Sequence, residues 1–321
     1  MIDIKGADRV SGPEEMNVLS KFNTGICKDG AFEQPDKTEI SHTMADYTFT
    51  VHNVGQALAT SLEEKNKEPF FYFDYGIAYG PNKFTLPDDA KLPISENATI
   101  LVSHMHEDHW CGFRINPKAL KCKWIIPQQP KQLSKAYKKI LASVRSSGGH
   151  IVCAANGLNI VKVKGIDNCM VVGNAASAIK PSRVPKNAHE TGSALYIFGQ
   201  NNHGDYKISV SGDQEYDYQD NNYINDINLL VACHHGGDYS WSKKATVPKP
   251  NAFENEIVYS YGEDNTYNHH TKIGDYKNQG WNSEHHTAKH CDYSIDLNLM
   301  NNSSLEGIIK VSNPMAKVFE V

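Results

Sequence analysis

Residues 103–112 read Ser103-His104-Met105-His106-Glu107-Asp108-His109-Trp110-Cys111-Gly112. They follow Ala98-Thr99-Ile100-Leu101-Val102, a continuous apolar run with the length and character of a buried strand. His104 and His106 are two apart, so on an extended backbone both rings project to the same side. Asp108 and His109 then fall where the chain turns and a helix would begin. These nitrogen and oxygen donors, crowded into one short stretch, suit Zn²⁺ or a similar divalent ion. Core packing has no use for a His-x-His-x-Asp-His pattern.

One such segment cannot close two metal sites, so further donors must come from elsewhere. His189 stands in His189-Glu190-Thr191-Gly192-Ser193, ahead of a strand. Asp213 stands in Ser211-Gly212-Asp213, closing the strand expected at Tyr206–Ser211. The pair His234-His235, followed by Gly236-Gly237, closes the strand expected at Asn228–Cys233. Either histidine of that pair can serve as the ligand. Each segment lies at a strand's end or in a loop, where sites are usually built on a rigid scaffold.

Working outward, short runs rich in aromatic and β-branched residues predict strands at Tyr47–Val54, Ala57–Leu62 and Pro69–Asp74, with a turn over residues 65–68. Further strands are expected at Lys123–Ile126, His150–Ala154, Asn159–Val163, Met170–Val172, Ser193–Phe198, Ile257–Tyr261 and Gly307–Val311. Leu133, Tyr137, Ile140 and Leu141 have helical spacing, which predicts a helix over Lys131–Val144. Residues 1–45 are polar and weakly periodic and read as an N-terminal extension. Residues 46–321 carry no Pro/Gly/Ser linker and read as one α/β (α+β) domain with two β-rich halves.

The chain has 321 residues, 40% hydrophobic and 21% charged, enough for a sizeable core and against disorder. No apolar run approaches the roughly 20 residues that span a bilayer. Met1-Ile2-Asp3-Ile4-Lys5 does not open a secretory signal. Seven scattered cysteines without a Cys-x-x-Cys pair point to free thiols and a reducing compartment, so a cytoplasmic protein is expected. The net charge of −5 does not draw a long polyanion. One basic stretch, Lys121 to Arg145, reads as a solvated helix face.

The order His-x-His-x-Asp-His, His-x-x-Gly-Ser, Gly-Asp, His-His-Gly resembles the metallo-β-lactamase superfamily. More narrowly, it resembles the hydrolase domain of the bacterial DNA-uptake channel ComEC and its soluble relatives. That group opens with Asp-Val-Gly-Gln-Gly and a strand ending in Asp-x-Gly; here Asn53-Val54-Gly55-Gln56-Ala57 and Asp74-Tyr75-Gly76 stand in those places. Its late Ser-x-Gly-x-Asn-x-Tyr-Gly-His-Pro stretch matches Ser260 to His270 here. The resemblance spans roughly residues 47 to 311. It implies a four-layer αββα sandwich with the site at one edge. It also implies that His104, His106 and His189 hold a first metal, that Asp108, His109 and His234 or His235 hold a second, and that Asp213 bridges them. Asn265, Tyr267 and His269 would face substrate. The chain departs from the pattern at Asn53 (for Asp), Ala57 and Cys111 (each for Gly) and His270 (for Pro). The histidine-rich stretch His285-His286…His290 finds no place in it.

The activity this implies is binuclear metal-dependent hydrolysis with two Zn²⁺ per chain, Mn²⁺ being the alternative. Two such ions lower the pKa of a shared water towards neutrality. Asp108 would orient the nucleophile, and His269 would bind the scissile group's oxygen or protonate the leaving group. The expected reaction is that of a phosphodiesterase or nuclease on a nucleotide, a phospho-headgroup or a short nucleic acid. The alternatives are a lactone, amide or thioester hydrolase on the same site, and a non-catalytic, metal-stabilised component of a larger system.

Overall fold

The computed structural model describes residues 46–127, 135–154, 158–163, 166–174, 188–201, 204–220, 223–240, 242–299 and 318–320. All lie in the unit Ser41–Val321. The N-terminal extension and the strand expected at Gly307–Val311 fall outside the described residues.

Strands dominate because the apolar runs are short and β-branched. β1 (Asp46–Val51), β2 (Ala59–Glu64) and β3 (Phe71–Tyr75) form an antiparallel ladder. β4 (Thr99–Leu101), β5 (Lys123–Ile126) and β6 (His150–Cys153) continue it in parallel from β3. β7 (Leu158–Val163), β8 (Ile166–Asn174), β9 (Ser193–Asn201) and β10 (Gly204–Val210) form an antiparallel meander. β11 (Asn225–Ile227) and β13 (Lys249–Pro250) pair apart from the main sheet. β12 (Leu229–Val231), β14 (Glu256–Tyr259) and β15 (Ser283–His286) extend β10 in parallel.

The two halves are joined by β16 (Tyr293–Leu299), which pairs with β1 on one side and β9 on the other. Its apolar Tyr293, Ile295, Leu297 and Leu299 alternate with polar residues, a period-two pattern that is readable in the sequence and was not among the expected strands. β17 (Val318–Glu320) pairs with β7. Among the described residues the α-helices are few: α1 (Lys135–Ser146), α2 (Ile273–Gln279) and α3 (Thr287–His290). α1 starts within the expected span and buries Tyr137, Ile140, Leu141 and Val144. Lys135, Lys139 and Arg145 are exposed, so this part of the basic stretch is a solvated face. The architecture is mixed α/β (α+β), with one large mixed sheet.

That sheet doubles over. Its main path runs β15-β14-β12-β10-β9-β16-β1-β2-β3-β4-β5-β6. β4 and β9 are five places apart on the path, roughly 24 Å on a flat sheet at about 4.8 Å per strand. Yet Ser193, at the start of β9, donates its backbone N–H to the carbonyl of Ser103, just beyond β4, at 2.8 Å. Phe49, Leu62, Phe73 and Leu101 from one half share a core with Ile197, Val210, Val231 and Val258 from the other. Burying each such side chain contributes about 1.5–3 kcal/mol, and this is what holds the halves together.

Candidate metal centre

The fold brings strand ends to one edge. His104–His109 follow β4, Asp213 follows β10, His234 and His235 follow β12, and Ser260 follows β14. All four strands run parallel to a neighbour, and the crevice beyond carboxyl ends is where open sheets place ligands. His189 precedes β9, which is antiparallel to β10, so its entry lies at the same edge.

Two donor groups result. His104, His106, His189 and Asp213 form one; Asp108, His109 and His235 form the other; within each group the donor atoms lie within 4.8 Å of one another. Asp213 presents a different oxygen to each. Its Oδ2 lies 3.5 Å from His104 Nε2 and 3.5 Å from His189 Nε2. Its Oδ1 lies 3.4 Å from His109 Nε2 and 3.7 Å from His235 Nε2. Asp108 Oδ2 completes the second group, 3.7 Å from His235 Nε2 and 3.9 Å from His109 Nε2. His235 therefore joins Asp108 and His109. His234 Nε2 lies beside the other oxygen of Asp213, 3.6 Å from Oδ2.

The donor set fits a pair of divalent ions. Nε2 of His104, of His109 and of His235, and Oδ1 of Asp213, are buried without a hydrogen-bond partner. Each orphaned polar atom costs about 1–3 kcal/mol unless something satisfies it. Four converging on two points are what a pair of cations would satisfy. A tetrahedral ion with bonds of about 2.0–2.1 Å needs donors about 3.3 Å apart, close to the spacings of both groups. An imidazole-rich set with carboxylates suits zinc.

Residues behind the donors aim them. His109 Nδ1 lies 2.7 Å from Asp74 Oδ2, and Asp74 in turn accepts from Ser103 N at 2.6 Å and Ser103 Oγ at 2.7 Å. Such a carboxylate orients a ligating imidazole and fixes its tautomer. Asp74 reaches His109 through a β-bulge: Thr60 pairs with Phe73 and Ala59 with Tyr75, so Asp74 is the extra residue, at φ +59°. Gly76 lets the chain pass, since a Cβ there would sit 1.7 Å from the Asp108 carbonyl oxygen. His235 Nδ1 is held by the Ser260 carbonyl at 2.6 Å. His234 and His235 are consecutive left-handed residues, φ +51° and +57°, a conformation costing roughly 1–2 kcal/mol each. That strain points one imidazole at each oxygen of Asp213.

The electrostatics favour cations. Burial alone would raise the Asp213 carboxyl, but His109, His234, His104 and His235 hold it well below the ordinary range. Asp108 is likewise brought down to about 2, against its burial, by His109 and His235. Burial lowers His104 and His106, and brings His189 to about 4, so these rings present lone pairs at neutral pH. His109 goes the other way: Asp213, Asp74 and Asp108 outweigh its burial and raise it well above the usual value.

A cleft of about 450 Å³ opens over the centre, lined among others by Tyr79, Asn82, His189, Asp213, Tyr267 and His269. His269 packs parallel to His235 at a ring separation of 5.5 Å, and burial and the two neighbouring imidazoles lower it to about 3. Tyr267 is half exposed beside it. Asn265, expected to face substrate, is placed differently. It is buried, its Nδ2 donates to the Gly262 carbonyl, and its Oδ1 accepts from the N–H groups of Tyr267 and His269. It shapes the loop that carries those two residues.

The sequence reading assigned no role to Asp74, Ser103 or Gln56. All three stand in motifs quoted above, which is the available signal. Among the described residues no third donor group joins His285, His286 and His290. Cys111, Cys122, Cys153 and Cys233 are buried and Cys291 is exposed, and none of the five is in a disulfide. No described helix is long and apolar enough to cross a membrane. No protein-family model matches the chain, and the comparison with curated proteins gives no match.

Proposed function

We propose that this chain is a binuclear metal-dependent hydrolase of the metallo-β-lactamase fold, related to the ComEC-like group, and that it cleaves phosphodiesters. The doubled-over sheet is then the middle of an αββα sandwich. The observation that carries the reading is Asp213, whose two oxygens serve two separate groups of histidines, with three buried histidine nitrogens around it and its own Oδ1 left unsatisfied. His104, His106, His189 and Asp213 would hold one zinc ion, and Asp108, His109, His235 and Asp213 the other. Two such ions supply a nucleophile at neutral pH and neutralise charge developing on the substrate oxygen. Asp108 faces the second group from the cleft side and orients the attacking group. His269, on the opposite loop, meets the oxygen of the scissile or leaving group.

The preference for phosphodiesters rests on the sequence resemblance at Ser260–His270, a loop that carries Tyr267 and His269 into the cleft. Size follows from charge. The described residues lining the cleft include no lysine or arginine to track a long phosphate backbone, and the chain is acidic overall. Tyr79 and Tyr267 offer aromatic faces on which one or two bases can stack. A dinucleotide, a phospho-headgroup or a short single strand fits this better than duplex. A cytoplasmic setting belongs to the same proposal.

The test is elemental analysis of the zinc-supplied protein followed by a substrate panel. Close to two ions per chain are expected, with bis-p-nitrophenyl phosphate or a dinucleotide turned over faster than any lactone, thioester or β-lactam. A lactone or amide leading the panel would move the same centre to acyl chemistry. A well-folded chain that retains no metal after resupply would sink the reading altogether.

A further inference from the structure

Gln56 sits in the Asn53–Ala57 motif and is not used in the mechanism above. Only 1% of it is exposed, and both ends of its amide are engaged. Its Oε1 accepts from the backbone N–H of Gly262 at 3.3 Å. Its Nε2 lies 2.6 Å from His269 Nδ1. Its own backbone N–H donates to Thr85 Oγ1 at 2.9 Å, and that hydroxyl donates to the Asn82 carbonyl at 2.8 Å. A Cβ on Gly262 would lie 2.3 Å from Thr85 Cβ and 2.8 Å from Gln56 N, so only glycine lets these three segments pack so closely. The amide has no room to swing.

This contact has a direction. A backbone N–H can only donate, so the end of the amide facing Gly262 is the carbonyl oxygen. The end facing His269 is then the NH₂ group, which also can only donate. His269 Nδ1 must accept. An imidazole that accepts at Nδ1 is neutral and carries its proton on Nε2. The fixed polarity of one peptide group, relayed through one amide, thus sets the tautomer of a ring in the cleft.

We propose that Gln56 is a positioning residue: it locks His269 as the neutral Nε2–H tautomer, so that His269 serves the reaction as a hydrogen-bond donor to an anionic substrate oxygen. This rests on the hydrolase reading and narrows it. His269 is then neither a base nor a proton-transferring acid, because a neutral ring that gave up its Nε2 proton would be left as an anion. The ligand group it takes is an oxygen that gains negative charge in the transition state, as a phosphoryl oxygen does, and a donor placed there stabilises that charge.

The test reads the tautomer directly. The zinc-loaded full chain, labelled with ¹⁵N-histidine, is examined by two-bond ¹H–¹⁵N correlation at mildly alkaline pH, with the His269 signals identified by their loss in His269→Ala. The parent is expected to show an unprotonated Nδ1 and a protonated Nε2. Gln56→Glu keeps the bond from Gly262 but can no longer donate, so the pattern should invert to Nδ1–H. Gln56→Met should leave a mixture. Both variants should keep two zinc ions and lose about 10–100-fold in kcat, the range for removal of a supporting partner, with KM changed far less. A parent ring with its proton on Nδ1, or a Gln56→Glu variant whose His269 pattern is unchanged, would overturn the assignment. The spectrum needs no substrate. A parent with the expected tautomer that cleaves no phosphodiester defeats the hydrolase reading alone, and an active parent with the opposite tautomer defeats this proposal alone.

Discussion

Residues 104–109 and residues 285–290 each carry three histidines within six positions, and the fold treats them in opposite ways. In the first stretch His104 and His109 are buried with Nε2 unsatisfied, and both aim at Asp213. In the second, His285 and His286 are neighbours on β15, so their rings leave opposite faces of the sheet. His286 Nδ1 lies 3.1 Å from the Tyr261 hydroxyl, and its Nε2 lies 3.7 Å from Glu284. His285 Nε2 meets the Cys291 carbonyl at 3.4 Å. Histidine density is therefore a poor guide to a metal centre. What distinguishes the two stretches is a spacing of two rather than one, together with a buried carboxylate towards which the rings converge.

The hardest test of that contrast is Asp213→Ala. It removes an oxygen from both groups at once, so zinc content should fall from two per chain towards none and hydrolysis should drop to assay background. A variant that keeps both ions would mean that the histidines alone define the centre. His269→Ala comes next. It should retain both ions and the parent Tm while kcat falls by about 10²–10³-fold, the range for loss of one oxyanion donor. Loss of a metal in that variant would make His269 a ligand.

Asp74→Asn tests the support behind the first stretch. The amide keeps the shape but not the charge that His109 leans on, and zinc affinity or turnover should fall by about 10–100-fold, measured by competition with a chelator. Stripping the parent with EDTA then gives a thermal readout. At a zinc concentration of 100 times Kd the bound state gains about 2.7 kcal/mol, worth roughly 5–10 °C in Tm at about 2–4 °C per kcal/mol. That shift should vanish in Asp213→Ala. The smallest effect is expected from the second stretch. A His285→Ala/His290→Ala double variant should keep both ions, full turnover and a Tm within about 2 °C of the parent, since His290 is exposed and His285 only half-buried, away from the core. A lost ion there would restore the second stretch as a metal site.

Much of this was open to reading one residue at a time. The buried run Ala98–Val102 and the His-x-His-x-Asp-His segment after it are local patterns: the side-chain period of extended backbone already puts His104 and His106 on one side. The strands closing before Asp213 and before His234 are local patterns as well, and so is the amphipathic stretch that became α1. The β16 alternation is equally local, with Tyr293, Ile295, Leu297 and Leu299 set between Ser, Asp and Asn.

Other features had no local signature. Whether His234 or His235 enters the second group depends on two consecutive positive φ angles, which nothing in a His-His-Gly-Gly string specifies. Asp74 and His109 are 35 residues apart, and they meet because a bulge re-aims one strand end. Gln56 and His269 are 213 residues apart, and their contact exists only because the sheet doubles over and three loops close on one another. Asn265 shows the reverse. Its motif marked it as a substrate contact, while the folded loop turned its amide inward to hold Tyr267 and His269. Residue type and spacing determine which groups can bind an ion and which way they lean on their own strand. Which distant donors converge on one point is decided by the burial of apolar surface summed over the whole sheet, a sum to which no single segment of sequence corresponds.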